Sequence, residues 1–224
     1  SYLHDITGSM EYNVSSSLLA GHGFWGNLSL MSQEELDYVG RQVEKKKRVL
    51  PYISGSLPQV QGRVGDSPEI YRVINTKESA GQIIAFSRAR ATCRIKQPLN
   101  ADRLLAVLNQ PYSVQDGILD MNLGFPEKET VKTLFVLPNE GTGVSIQSST
   151  VPLADAALDG NSLLFEAVGA GEQVIYWPVV MGKPEVKGNN VTEFRLKLVE
   201  NSFRIHTYVS RPGVVEIRPG PLNE

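Results

Sequence analysis

His4 and Asp5, in the opening stretch YLHDITGS, are adjacent polar residues after a short apolar start. At the end of a barrel strand such a carboxylate can pass a proton to or from a glycosidic oxygen, or accept a sugar hydroxyl. Asp5 can equally do no more than cap the turn that Thr7 and Gly8 make. The second concentration of chemistry is LLAGHGFWGNL, residues 18–28, where His22 lies between two glycines and Phe24 and Trp25 follow. A flat aromatic such as Trp25 suits the apolar face of a pyranose, and it serves just as well as a packing anchor between two elements. His22 has no role that its neighbours define.

Much other chemistry is excluded. Gly21 and Gly23 do not make a phosphate cradle, because a bulky residue separates them and no Lys-Ser or Lys-Thr follows. None of the three histidines, His4, His22 and His206, has a second His at i+3 or i+4, so an HExxH zinc site is absent. The GxSxG elbow, the Walker loop and GxGxxG are absent too. Cys93 is the single cysteine, which rules out an intrachain disulfide and a cysteine-based zinc site. Neither a metal nor a cofactor is expected.

A net charge of -2 argues against nucleic acid as a partner, since that affinity rests on clustered Lys and Arg. The one basic run, Lys45 to Arg48, sits at the end of a predicted helix, where it complements the helix dipole. No apolar run approaches the roughly 18 residues a membrane span needs, and no signal pattern opens the chain, so no membrane partner is expected. Without disulfides the chain suits the cytosol or a bacterial secreted protein, and a periplasmic or secreted bacterial location is the expectation. Asn13, Asn27 and Asn190 begin N-x-S/T triplets that read as chance occurrences.

These residues must be positioned by elements of two kinds. Residues 12–50 carry a helical pattern: a short segment around Val14 to Ala20, then Ser32 as N-cap with Glu35 three residues on. Leu36, Val39, Val43 and Leu50 follow at helical spacing, and Pro51 is expected to stop the helix. After Gly55 the period changes to that of strands. Strands are expected at 69–75, 82–88, 91–96, 132–137, 143–148, 162–168, 172–180, 192–199, 202–210 and 213–218. Residues 100–108 fit a helical interruption or a buried strand, and GKPEVKGNNVTE reads as a loop or hairpin connection. The fold class is therefore mainly β: a short N-terminal helical segment followed by an antiparallel β-sandwich, as one large or two small β units.

The string SSLLAGHGFWGNLSLMSQEELDYVGRQVEKKKRVLPYI, residues 16–53, resembles the end of the catalytic (β/α)8 barrel in α-galactosidase-type glycoside hydrolases. Leu28 to Ser32 match the apolar run before the final helix, Glu35 its acidic start and Gln42 to Arg48 its basic end. VGDSPEIYRVINTKESAGQIIAFSRA, residues 64–89, resembles the first hairpin of the C-terminal sandwich in that group. The resemblance implies a helical remnant of the barrel over 1–54 and a β-sandwich region over 55–224, with a sub-boundary near 93–109. It also implies a catalytic pair of aspartates upstream of Ser1, since no stretch here matches either motif.

Two functions follow. One is an accessory C-terminal portion of a retaining glycosidase, whose partners are the barrel expected upstream and, through the parent enzyme, an oligosaccharide or glycoside. The other is a non-catalytic carbohydrate-binding or interaction module, in which sugar quenches the emission of Trp25 or Trp177. His4, Asp5, His22 and Trp25 are the candidates for proximity to substrate. The chain by itself should not hydrolyse aryl galactosides; measured turnover that Asp5→Asn abolishes would contradict this.

Overall fold

A computed structural model describes residues 9–20 and 28–220. It is mainly β, with two helices followed by antiparallel sheets in a sandwich-like arrangement. The helices are α1 (Met10–Ala20) and α2 (Gln33–Ile53). The strands are β1 (Gln59–Gln61), β2 (Glu69–Asn75), β3 (Ala80–Ser87), β4 (Ala91–Pro98), β5 (Leu104–Leu108), β6 (Tyr112–Gln115), β7 (Ile118–Phe125) and β8 (Thr130–Pro138). They continue as β9 (Ser145–Ser149), β10 (Leu153–Asp159), β11 (Ser162–Ala167), β12 (Gly171–Pro178), β13 (Pro184–Lys187), β14 (Val191–Val199), β15 (Ser202–Val209) and β16 (Gly213–Pro219). Three sheets result, ordered β1-β2-β3-β8-β5, β10-β11-β16-β13 and β14-β15-β12-β9-β6-β7-β4.

The chain divides into two compact units. The first holds the described residues up to Asn75, with Gly81–Cys93 and Gly124–Phe135. The second holds Thr76–Ala80, Arg94–Leu123 and the described residues from Val136 on.

In the first unit α2 starts on the expected capping box. The Ser32 hydroxyl oxygen accepts from the Glu35 backbone N–H at 3.3 Å, and the Glu35 carboxylate accepts from the Ser32 backbone N–H at 2.8 Å. The helix does not stop at Pro51. Proline removes only its own N–H; Val49 and Ile53 are buried on the core face, and the Ser54 N–H bonds to the Leu50 carbonyl at 3.0 Å, closing the last turn. The buried stripe runs through Gln42, Lys45, Val49 and Ile53, whereas Leu36, Val39 and Val43 are half-buried and Leu50 is exposed.

Two corrections follow for the basic run. It lies before the last turn, so it does not cap the dipole. Lys46 instead donates to the Gln82 side-chain carbonyl at 2.7 Å, and burial pulls its ammonium down to about 8. Gln82, itself buried, donates in turn to the Leu18 carbonyl at 3.2 Å, so one side chain of β3 ties both helices.

In the second unit the seven-stranded and four-stranded sheets share the alternation of a one-face-buried antiparallel sheet. Ile175 and Trp177 of β12, Ile205 and Val209 of β15, Leu163 and Phe165 of β11, and Val215 and Ile217 of β16 are all buried. The Trp177 indole N–H donates to the Gly182 carbonyl at 3.0 Å. Inside this apolar layer the Thr207 hydroxyl donates to the Gln173 side-chain oxygen, and Gln173 donates to the Gly171 carbonyl, so neither is left unsatisfied. Asn190 is fully buried, its amide on the Arg211 carbonyl, and a Cβ at Gly213 would lie 2.9 Å from that amide nitrogen. Burial of Asn13 and Asn190 closes both triplets to glycan attachment in the folded chain.

All ten expected strands are present, β2 with the expected bounds and the other nine with shifted ends. Val179 and Val180 fall in a 3-10 turn rather than in β12, because Pro178 begins that turn. Residues 100–108 are both alternatives in succession: a 3-10 turn at Ala101–Arg103, then β5, every residue of which is buried. GKPEVKGNNVTE is not a plain loop, for it carries β13, paired with β16 from Pro184 to Lys187.

Gly81 marks the tightest point of the first unit. A Cβ there would lie 2.2 Å from the Val73 carbonyl oxygen, whereas one at Gly124 meets nothing within 4 Å. Gly81→Ala should therefore cost about 3 kcal/mol, and Gly124→Ala should change stability by no more than about 1 kcal/mol. Urea midpoints of the two variants test this; equal losses would contradict the close approach.

Candidate functional site

The alternation that buries one face of β12 and β15 leaves the other facing solvent, and apart from the buried Val174 what lies there is polar. From β15 it is Arg204, His206 and Tyr208, and from β12 it is Glu172, Val174 and Tyr176. Strand β14 adds Glu193, Arg195 and Lys197 on the same side. Cross-strand register sorts these into rows. Lys197, Arg204, Tyr176 and Ser145 form one row across β14, β15, β12 and β9. Arg195, His206, Val174, Ser148, Ser113 and Asp120 form the next and carry it through β6 to β7. Glu193, Tyr208 and Glu172 form the third.

A β-bulge interrupts the β9–β12 pairing, where Val174 pairs with Ser148 but Ile175 pairs with Ile146. Gln147 is the extra residue. A bulge turns a side chain off the regular alternation: with Ile146 inward and Gln147 outward, Ser148 faces the groove beside Gln147 and Ser145 instead of turning inward, and the Gln147 amide donates to the Ser145 hydroxyl at 2.6 Å. The β6–β7 hairpin closes through Asp116 and Gly117, both at positive φ, which sets the groove's far rim beside Ala101 and Asp102. The groove encloses about 550 Å³ and is lined mainly by hydroxyl, amide, Tyr176 and Arg204 groups over a floor of Val174. A second hollow of about 370 Å³ lies on the same face over Glu172, Glu193, Arg195, His206 and Tyr208.

The charges on this face are largely matched. The Glu172 carboxylate can only accept, so the His206 Nδ1 at 2.8 Å carries the proton of that bond. Arg195 donates from Nε to Glu193 at 2.6 Å. Arg94 of β4 holds the Asp120 carboxylate below its ordinary range, chiefly through their hydrogen bond, the Nε contact being 2.8 Å. Among the described residues no group of three or more His, Cys, Asp or Glu side chains could hold a metal ion.

The first unit has a cleft of its own, about 310 Å³, beside Tyr12, Tyr71, Phe86 and Glu69. Tyr71 donates to the Glu69 carboxylate and is pushed up to about 12, the hydrogen bond being the main cause. Tyr12 and Tyr71 both pack edge-on to Phe86, at 4.9 and 6.0 Å between centroids, so the rings are engaged with one another.

His4, Asp5, His22 and Trp25 lie outside the described residues, as does Phe24. Trp177 is no saccharide platform, because its ring is fully buried. His206, Arg204 and Tyr208 are not among the site residues expected from the sequence. Their signal was present in SFRIHTYV, where polar residues recur at every second position along a strand and so share a face. No protein-family model, curated protein or solved structure matches the chain.

Proposed function

We propose that this chain is a non-catalytic β-sandwich module that binds saccharide on the outer face of its seven-stranded sheet. It does so as an accessory C-terminal part of an α-galactosidase-type glycoside hydrolase. The observation that carries the binding reading is the groove over Val174, walled by Ser113, Ser148, Gln115, Gln147, Tyr176 and Arg204. A sugar presents vicinal hydroxyls that both donate and accept, and apolar C–H faces between them. Serine hydroxyls and glutamine amides likewise both donate and accept. The half-exposed Tyr176 offers a flat apolar body with a polar tip, suited to a sugar ring.

The parent reading rests on the resemblance of residues 16–53 and 64–89 to the end of that barrel and the first sandwich hairpin. The catalytic carboxylates then belong to the barrel, and this face holds or orients the polymer beside it. A shallow solvated surface suits that role, since it admits a chain from either end.

Calorimetric titration with galactosides and plant oligosaccharides tests the binding. At least one should bind, and Tyr176→Ala should weaken it about tenfold, the worth of one well-placed aromatic contact. A flat titration across the panel, or a Tyr176→Ala variant that binds as the parent chain does, would contradict the proposal.

A further inference from the structure

The row that crosses the groove's end holds two like charges face to face. Lys197 and Arg204 are cross-strand partners on β14 and β15, and both are exposed. Side chains so placed are about 5 Å apart at Cβ, and like charges directly opposite destabilise the pair. The other permanent cation on these three strands' outer face has a carboxylate: Arg195 has Glu193. Among the described residues no carboxylate lies within ion-pair distance of Lys197 or Arg204, in a chain whose net charge is negative. Arg204 lines the groove, next in register to Tyr176.

Resting on the saccharide reading, we infer that the ligand of this face is an acidic saccharide whose carboxylate or sulfate group seats on Arg204 and Lys197. The guanidinium fork matches either oxyanion in a bidentate fashion, and Lys197 adds a point charge beside it. The rest of the groove is suited to uncharged rings. Asp102 and Asp116 stand on its opposite rim, where a carboxylate accepts from sugar hydroxyls and repels a second anion. The groove is thus polarised, anionic group at the β14–β15 end and hydroxyls toward the β6–β7 turn.

Three probes test this on the whole chain: a neutral galactan oligomer ending in a single galacturonate, the same oligomer with that carboxyl reduced to an alcohol, and the neutral oligomer bearing a single terminal sulfate ester. At least one acidic oligomer should bind about tenfold tighter than the neutral one, the worth of a charged hydrogen-bonded contact. The tighter of the two acids identifies the group. In Arg204→Gln and in Lys197→Gln that preference should fall toward one, with thermal midpoints no lower than that of the parent chain, since each substitution removes one of two exposed like charges that face each other. Equal affinity for the acidic and neutral forms, or a preference that survives both substitutions, overturns the inference and leaves the saccharide reading standing. If none of the three binds, both fall.

Discussion

Trp177 fixes which face of the seven-stranded sheet meets water. It is the largest fully buried side chain in the described structure, and its indole N–H is spoken for by the Gly182 carbonyl. Strand side chains alternate with a period of two, so slipping β12 by one residue would expose Trp177 and bury Glu172 and Tyr176. β12 is paired along its whole length with β15 and over part of it with β9, and the choice made at Trp177 is therefore imposed on its neighbours. Gln173 and Thr207 show how firm it is, since two polar side chains accept burial there and bond to each other.

From that constraint the site follows without a cavity. An antiparallel sheet with one packed face can leave the other solvated, and here the solvated face carries hydroxyls, amides and matched ion pairs. Exposed ion pairs contribute little to stability, so Glu193–Arg195 serves mainly to keep the surface neutral where it stands, while Glu172 is engaged by its hydrogen bond with His206. The Lys197–Arg204 pair is the departure from that neutrality. The bulge at Gln147 interrupts the ladder locally and brings Ser148 to the groove side of the sheet.

Strands rich in β-branched and aromatic residues, such as β2, β12 and β15, were legible from their patterning, as was the start of α2 from Ser32 and Glu35. Of the strands that escaped notice, three carry the wrong local preferences. β10, LADAALD, is built of alanine and aspartate, and β13 begins with proline. β7 alternates cleanly, yet its outward positions are Asp120, Asn122 and Gly124, residues that otherwise signal turns. Tertiary pairing overrides propensity in all three. The Asp116-Gly117 turn was a strong local hairpin signal and was overlooked. The site was less legible than the fold, because it is assembled from alternate residues of five strands, and only register brings Lys197, Arg204, Tyr176 and Ser145 into one row.

The most direct test of the ligand face is residue-by-residue: backbone amide NMR shifts of the whole chain as a binding oligosaccharide is added. Shifts should concentrate on β6, β9, β12 and β15, at Ser113, Ser148, Tyr176 and Arg204, with β11 and β16 unchanged. Shifts centred instead on the Tyr12–Tyr71–Phe86 cleft, or on the four-stranded sheet, would contradict the account.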